Sequence, residues 1–540
     1  MTPVFSRPGL RRFLLHFCAL IAGVVLFAAS FPNLLFENGL PLLAWIAYIP
    51  IFWLINDVGI KASIFWGALY GYAAYGLFNY WLSVFHPLAG LIVGIIYLFY
   101  FAVLFPVLKG AALLFPRRGY ILQWALWIAY EYLRTQGFLG YPYGITGYSQ
   151  WNMLPVIQIA SLGGVWAVSA LVIFPSAYIA RALKNGFDRS SLTVFFRREW
   201  FFAALWIAAL GGTLIFGAAS QKDYSTAPAA RFALIQHNTD PWRGGLAQYR
   251  MNYETLKRLS LEALDQEDKP DVVVWSETAF VPRIHWHTTY REDRGSYELV
   301  RELLDFLSEQ TVPFVIGNDD ARRELSENGT WERVDYNAAM LFDRGEIAGQ
   351  YRKLHLVPFT EHFPYGKQLP WVYEALANAD THFWEKGADA TVFDINGLRF
   401  STPICFEDTF GYISREFVRN GAEVIVNLTN DAWSHSLPAQ MQHLSMAVFR
   451  TVENRRSMVR STASGQTCGI DPNGRIIAMA EPFTESQLTV SVPVAAGTTL
   501  YTRWGDYLAK IFVWASLLAL TTGIVVKIIK IRKSKYHDSD

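Results

Sequence analysis

The chain has 540 residues, 52% of them hydrophobic and 17% charged, with a formal net charge of +1 at pH 7. A mean hydropathy of +0.18 is too apolar for an ordinary soluble domain and predicts a membrane protein with a soluble part. Three cysteines (Cys18, Cys405, Cys468) cannot form a disulfide framework without leaving one over, and the sequence holds no C-x-x-C, no H-E-x-x-H and no phosphate-cradling glycine loop, which argues against zinc and nucleotide chemistry.

Arg7, Arg11 and Arg12 lead into an apolar run at residues 13–31, long enough to cross a hydrocarbon core of about 30 Å. "RPGLRR" ahead of it and "FAAS" within it imitate a signal peptide, but its length and the later runs predict an uncleaved anchor. Residues 41–55 form the next run. Between Lys61 and Lys109 there is no Asp, Glu, Lys or Arg, which predicts two passes with a turn at His86-Pro87. The run at 120–133 is the weakest, short and ending beside Glu131 and Arg134; runs at 155–180, 200–219 and 507–529 complete a set of eight. With eight crossings, seventeen basic residues from Arg7 to Lys535 fall in or beside the loops of one side, while the short loops of the other carry Arg134 alone. The positive-inside rule makes the basic side cytoplasmic, both termini included, and needs the 120–133 span to keep the later basic loop inside. The tail "KIIKIRKSKYHDSD" reads as a topology signal touching anionic lipid and not as a nucleic-acid arm. The expected organisation is a membrane part at 1–221, an external domain at 222–503, and a final span with its basic tail at 504–540.

In the external domain, strand-like runs lie at 231–238, 271–277, 312–319, 337–343, 399–406 and 423–430, and "DPNGRIIAMA" adds a turn into another strand. Helical spacing occupies 247–266 and 295–309, and "SREFVRN" before Gly421 reads as a helix with its stop. The alternation predicts an α/β fold with helices packed on sheets. Three strand ends carry chemistry: Glu277 in "WSE", Lys353 in "YRKLHLVPFTE" and Cys405 in "ICFED". Singly, each has a plain reading as a solvated carboxylate, a surface lysine or a small buried thiol. Together they form an acyl-transfer set, since a thiol of pKa about 8.5 needs a base to take its proton and a cation to stabilise the thiolate and the oxyanion. Cys468 reads as a packed core thiol, Cys18 as a small residue facing lipid or a helix, and His355 and His443 as local hydrogen-bonding groups.

These motifs resemble the nitrilase superfamily, whose Glu-Lys-Cys triad sits on an αββα sandwich, and over nearly the whole chain they resemble the apolipoprotein N-acyltransferases. The resemblance rests on "VVWSETA", "YRKLHLVPFTE", "ICFED", "NLTNDAW" and "QHLSMAVFRTVENRRSMVRSTASG", and in the membrane half on "GYPYG" and "GYSQWNMLPVIQIASLGGVWAVS". It implies an enzyme of the bacterial inner membrane with its catalytic domain in the periplasm. It further implies acyl transfer from a phospholipid, phosphatidylethanolamine for preference, to the N-terminal amine of S-diacylglyceryl-cysteine in apolipoproteins, through a cysteine thioester. Carried over, Glu277 is the base, Lys353 the stabilising cation and Cys405 the nucleophile. Glu361, Glu407 and Phe406 are supporting residues, and Trp242, Tyr143 and Trp433 lie near the lipid entrance. No metal, cofactor or nucleic acid is implied, and a monomer is expected. Phe406 replaces the family's usual Tyr, and Thr360 its usual Gly. A membrane-tethered amidase, with water as acceptor, shares the triad, but seven spans are more than a tether needs.

Overall fold

The computed structural model describes residues 7–85, 87–184, 186, 188–326, 329–378 and 381–537; the turn expected at His86 and the last residues of the basic tail lie outside them. The chain divides into two compact units, Met1–Gln221 with Asp506–Asp540, and Lys222–Gly505.

In the first unit, five helices among the described residues are long and apolar enough to cross a membrane: Gly9–Ser30, Leu88–Leu114, Val165–Leu183, Arg189–Ser220 and Tyr507–Ser534. The other expected spans take different forms. Residues 41–55 break into the 3₁₀ turn Pro41–Trp45 and the helix Ile49–Asp57. The 155–180 run is interrupted by Gly164 at φ +67, so that the helix proper starts at Val165. The helix Gly119–Leu133 has 15 residues, about 22 Å at 1.5 Å per residue. The charge-free segment does give two helices, Ile60–Phe78 and Pro87–Leu114. They pack backbone to backbone because Gly67 and Gly71 offer no side chain; a Cβ there would stand 2.2 Å from the carbonyl oxygens of Phe101 and Tyr97 respectively.

Glu131 and Arg134, the two charges that weakened the 120–133 run, pin the loop that follows it. The Arg134 guanidinium Nη1 donates to the Tyr97 hydroxyl at 2.7 Å and to the carbonyls of Tyr141 and Tyr143 at 2.6 and 2.9 Å. Glu131 Oε1 accepts from the backbone N–H and hydroxyl of Thr146 at 3.0 and 2.5 Å. Both side chains are buried, so these charges are part of the packing.

The second unit is an αββα sandwich. Among the described residues its strands are β1 (Ala229–Gln236), β2 (Val272–Trp275), β3 (Phe314–Leu325), β4 (Trp331–Asp343), β5 (Glu346–Arg352), β6 (Val392–Ile395), β7 (Leu398–Ser401), β8 (Val424–Thr429), β9 (Ser457–Thr462), β10 (Cys468–Ile470), β11 (Ile476–Met479) and β12 (Ser486–Pro493). One six-stranded sheet has the order β12-β1-β2-β3-β4-β5 and the other β11-β10-β9-β8-β7-β6. In each, three neighbouring parallel strands form the middle (β1, β2, β3; β7, β8, β9) and antiparallel strands flank them. Of the central strands, β2 (VVVW) and β8 (VIVNLT) read as apolar runs because both faces are covered, whereas β7 (LRFS) and β9 (SMVRST) carry polar and charged residues that are mostly buried all the same. Leu256, Leu259, Leu299, Leu303 and Phe306, from the helices Gly245–Leu264 and Arg294–Ser308, pack with Trp275, Phe314 and Phe342 of the first sheet. The helix Leu437–Asn454, buried along its length, and the helix Gly411–Arg419 belong to the second layer. Between the sheets, Phe232 meets Phe400 edge-on at 6.2 Å, and the Ser461 hydroxyl donates to the Val274 carbonyl at 3.0 Å.

Gly317 on β3 sets the depth of the loop after β2. A Cβ there would lie 2.3 Å from the Ser276 carbonyl oxygen, 2.6 Å from the Thr278 nitrogen and 2.8 Å from Glu277 Cα. Gly317→Ala must therefore move backbone, at a cost of about 1–3 kcal/mol. The expected result is a lowered melting temperature together with a loss of activity larger than the melting shift accounts for, read by thermal melting and turnover on the same preparation; unchanged values of both would show the loop to be free to move.

Candidate active site

Strand ends deliver the three reactive side chains. Glu277 lies two residues beyond β2, where Thr278 turns the chain with φ +45. Lys353 follows β5 directly. After β7 the chain stays extended through Ile404, which bridges in parallel to Leu428 of β8. Cys405 then adopts φ +49 and opens the 3₁₀ turn Cys405–Thr409. A non-glycine residue in that left-handed region costs about 1–2 kcal/mol, which the surrounding structure must hold.

Glu407 supplies that hold. Fully buried, its carboxylate accepts from the backbone N–H of Ile404 at 2.7 Å, of Leu354 at 2.7 Å and of His355 at 3.0 Å, and from the Tyr351 hydroxyl at 2.8 Å. One side chain thus joins the turn carrying Cys405 to the chain just past Lys353. Burial pushes its carboxyl up to about 7 against the pull of those N–H groups and of Lys353.

The Lys353 ammonium, fully buried, donates to Glu277 Oε1 at 3.1 Å and to Glu361 Oε1 at 2.8 Å. Glu277 is fixed from two further directions, by Asn337 Nδ2 at 2.8 Å on Oε1 and by the Asn430 backbone N–H at 3.0 Å on Oε2. Glu361 Oε2 accepts from the Val357 N–H at 2.9 Å. Burial alone would push the ammonium down, but Glu277 and Glu361 outweigh it and hold Lys353 above its ordinary value. Burial raises Glu361, Lys353 opposes, and the neighbouring Glu277 adds to the rise. The half-buried Cys405 is pushed well up, by burial first and by Glu277 next, with Lys353 pulling the other way. The three groups therefore act on one another, and the resting sulfur is a thiol.

Behind them lies a second buried network. Asp408 takes hydrogen bonds from Arg460 and from His443 at 2.7 Å, and His443 also meets Asp431 at 3.2 Å. Burial would lower His443, but Asp408 and Asp431 raise it to about 9, so the imidazole is a buried cation. His355 pairs with the Tyr412 hydroxyl at 2.7 Å. Phe406 packs its ring 5.0 Å from that of Phe410.

The three aromatic residues stand on separate elements. Trp433 is half-buried on the short turn Ala432–Ser434, just beyond Asn430. Trp242 is half-buried beside His382 and Trp384, with ring centroids 5.3 and 5.9 Å away. Tyr143 belongs to the first unit, 5% exposed and stacked on Tyr141 at 4.8 Å. Cys468 is fully buried on β10. Sequence reasoning does not single out Asn337, Tyr351, Asp408 or Arg460. Asn337, within a strand, gives no local signal; Asn430 directly after an apolar strand, and Asp408 three residues from Cys405, do.

A carbon-nitrogen hydrolase domain matches residues 231–500, and it is this class that the sandwich defines. The apolipoprotein N-acyltransferase N-terminal domain matches residues 22–178. The apolipoprotein N-acyltransferase 1 of Treponema denticola is 46% identical over 532 residues, covering 96% of this chain and 98% of the relative. That of Treponema pallidum is 45% identical, covering 97% and 98%. Among solved structures, a mutant amidase from Nesterenkonia sp. AN1, with an acetamide moiety added covalently to its active-site cysteine, aligns at 16% identity and a TM-score of 0.36, over 54% of this chain and 98% of that one. The chain belongs to the apolipoprotein N-acyltransferase family, and it is an acyltransferase.

Glu407 makes stability depend on pH with a definite sign. Its folded value of about 7 exceeds the unfolded value of about 4.3, so the folded state binds more protons between them. Stability contributed by this group falls as pH rises from about 4.3 through about 7. Glu407→Gln is expected to flatten the decline in melting temperature across that window; an identical slope in the variant would assign the decline to other groups.

Proposed function

We propose that the chain transfers an acyl chain from a membrane phospholipid, phosphatidylethanolamine for preference, to the N-terminal amine of S-diacylglyceryl-cysteine in apolipoproteins, by way of a thioester on Cys405. The observation that carries this reading is the Lys353 ammonium bonded to Glu277 at 3.1 Å and to Glu361 at 2.8 Å, in electrostatic contact with a cysteine thiol. Glu277 takes the Cys405 proton as sulfur attacks the ester carbonyl, since the buried thiol is not ionised beforehand. Lys353 stabilises the oxyanion. As the C–O bond breaks, the proton passes from Glu277 to the leaving oxygen and lysophospholipid departs. The acceptor amine then forms a C–N bond at the thioester carbon, the C–S bond breaks, and Glu277 relays the amine proton to sulfur. Glu361 keeps Lys353 in place, and Glu407 with Phe406 shapes the Cys405 turn. Trp242, Trp433 and Tyr143 are each proposed to lie near the path by which lipid reaches the enzyme.

The same reading places the chain in the bacterial inner membrane as a monomer with eight crossings, both termini cytoplasmic and residues 222–503 in the periplasm. The skew of basic residues between the two sides supports the orientation, and the five apolar helices support a membrane location. Water at about 55 M competes for any thioester, so the reading requires a dry site while the acyl-enzyme waits.

Purified enzyme given phospholipid is expected to show one acyl adduct, on Cys405, by mass spectrometry. Cys405→Ser should abolish N-acylation and carry no thioester, whereas Cys468→Ala should keep activity. Supplying labelled phospholipid and a diacylated lipopeptide separates transfer from hydrolysis: label on the amine supports the reading, and label only in free fatty acid makes the protein an amidase-like hydrolase.

A further inference from the structure

A histidine clamped between two carboxylates adjoins the Cys405 turn, and the mechanism above leaves it without a task. His443 lies on the helix Leu437–Asn454, which is buried along its length. Its Nε2 meets Asp408 Oδ1 at 2.7 Å, and its Nδ1 meets Asp431 Oδ1 at 3.2 Å. A carboxylate on each ring nitrogen calls for a proton on both, and Asp408 and Asp431 raise the imidazole to about 9 although burial opposes them. Arg460 on β9 completes the group, pairing with Asp408 Oδ2 and standing 3.7 Å from Asp431 Oδ2. All four side chains are buried, so two negative and two positive charges cancel only while His443 is protonated.

What these groups join gives them a use. Asp408 belongs to the turn Cys405–Thr409, three residues beyond the nucleophile. Asp431 follows Asn430, whose backbone N–H holds Glu277 Oε2 at 3.0 Å. His443 therefore bridges the turn that presents the sulfur and the loop that fixes the base. Its helix grips the same turn a second time, seven residues on, where Arg450 donates to the Thr409 carbonyl at 3.0 Å. The Asp431 carboxylate has no comparable second anchor: among the described residues its Oδ1 accepts from His443 alone, and its Oδ2 has no hydrogen bond. Buried ion groups add little net stability, because stripping each charge of water costs several kcal/mol, so a fixed geometry is what they supply.

We infer that His443 is a positioning residue for the acyl transfer, holding the Cys405 sulfur and the Glu277 carboxylate in register through Asp408 and Asp431. This role rests on the acyl-transfer reading, since it concerns the proton that passes between those two groups. Register matters because the resting sulfur is a thiol and its proton must reach Glu277 during the attack; a misplacement of about 1 Å costs about 100-fold in rate. When the imidazole loses a proton, one ring nitrogen turns a lone pair on a carboxylate, and one of the two ties is broken. The protonated form is then the competent one, so sulfur acylation should fall as pH rises through about 9. The other charged groups of the neighbouring elements are engaged elsewhere. Arg450 pairs with Glu453 on the same helix at 3.0 Å, and on the helix Gly411–Arg419 Arg415 donates to the Thr502 and Arg503 carbonyls while Arg419 pairs with Glu416. On β10, beside Arg460, burial pushes the Cys468 thiol up to about 12. Asp431 also acts on Cys405 directly, adding to the rise of its thiol.

The first half-reaction tests this directly. Full-length enzyme in detergent is given phosphatidylethanolamine without acceptor, and the rate of acyl-Cys405 formation is followed by mass spectrometry from pH 7 to pH 10. The unsubstituted enzyme should lose about tenfold in rate between pH 8 and pH 10 and regain it on return to pH 8. His443→Gln keeps a donor for Asp408 but none for Asp431. It should be about tenfold slower at pH 8, with little change in the half-saturating phospholipid concentration, and should show no alkaline decline. Asp431→Asn leaves Asp408, His443 and Arg460 in place and should also be about tenfold slower. If Asp431 acted only through its charge on the sulfur, its removal would ease ionisation of the thiol and the rate would rise. A normal or raised rate in either variant, an alkaline decline unchanged in His443→Gln, or no decline in the unsubstituted enzyme overturns the inference. Should His443→Gln not fold, Asp431→Asn and the pH dependence of the unsubstituted enzyme decide it. Failure of the unsubstituted enzyme to acylate Cys405 at any pH sinks the acyl-transfer reading instead.

Discussion

A single buried ammonium governs the catalytic unit. Lys353 has no accessible surface and two carboxylates within bonding distance, an arrangement that only a rigid protein can sustain, because each group must be stripped of water before it meets the others. The burden is shared outward. Glu277 is gripped by Asn337 and by the Asn430 backbone, Glu361 by the Val357 backbone. Asn337 lies on β4 of one sheet and Asn430 just past β8 of the other, so the charges stay in register only while the sandwich is closed.

That constraint explains why the reactive groups stand just beyond strand ends. A side chain inside a strand shares its geometry with the whole ladder, whereas one just past the end can take an unusual backbone angle while its neighbours stay regular. Thr278 and Cys405 both use this freedom, with φ of +45 and +49. Glu407, through three backbone N–H groups and a tyrosine hydroxyl, keeps the Cys405 turn from relaxing.

Much of this was legible in the residues. The central strands β2 and β8 announce themselves because burial on both faces leaves apolar runs, as in "DVVVWSE" and "EVIVNLTN", whereas the central strand β9, "SMVRST", is fully buried without one and gives no such signal; the helices Gly245–Leu264 and Arg294–Ser308 show their stripes. The edge strands β5, β6 and β12 did not, since half-exposed positions mix polar and apolar residues without a clean period. The strand expected to reach Phe406 stops at Ser401, because Cys405 requires a left-handed turn that composition does not encode. In the membrane unit, hydropathy counts apolar residues but cannot see Gly164 breaking a run or a 3₁₀ turn dividing one. Charge on Glu131 and Arg134 argued against burial, yet both are buried with partners supplied by a loop several residues on. Partners distant in sequence are what single-residue reasoning misses.

The pairing of β1 with β12, Ala229 opposite Pro493, makes the first and last strands of the catalytic unit direct neighbours. Nascent chain must therefore hold one unsatisfied edge open across some 250 intervening residues until the closing strand is made, so this seam can close only late in synthesis. It also gives the unit a paired entry and exit, the arrangement that lets a folded module be exchanged between hosts as a cassette.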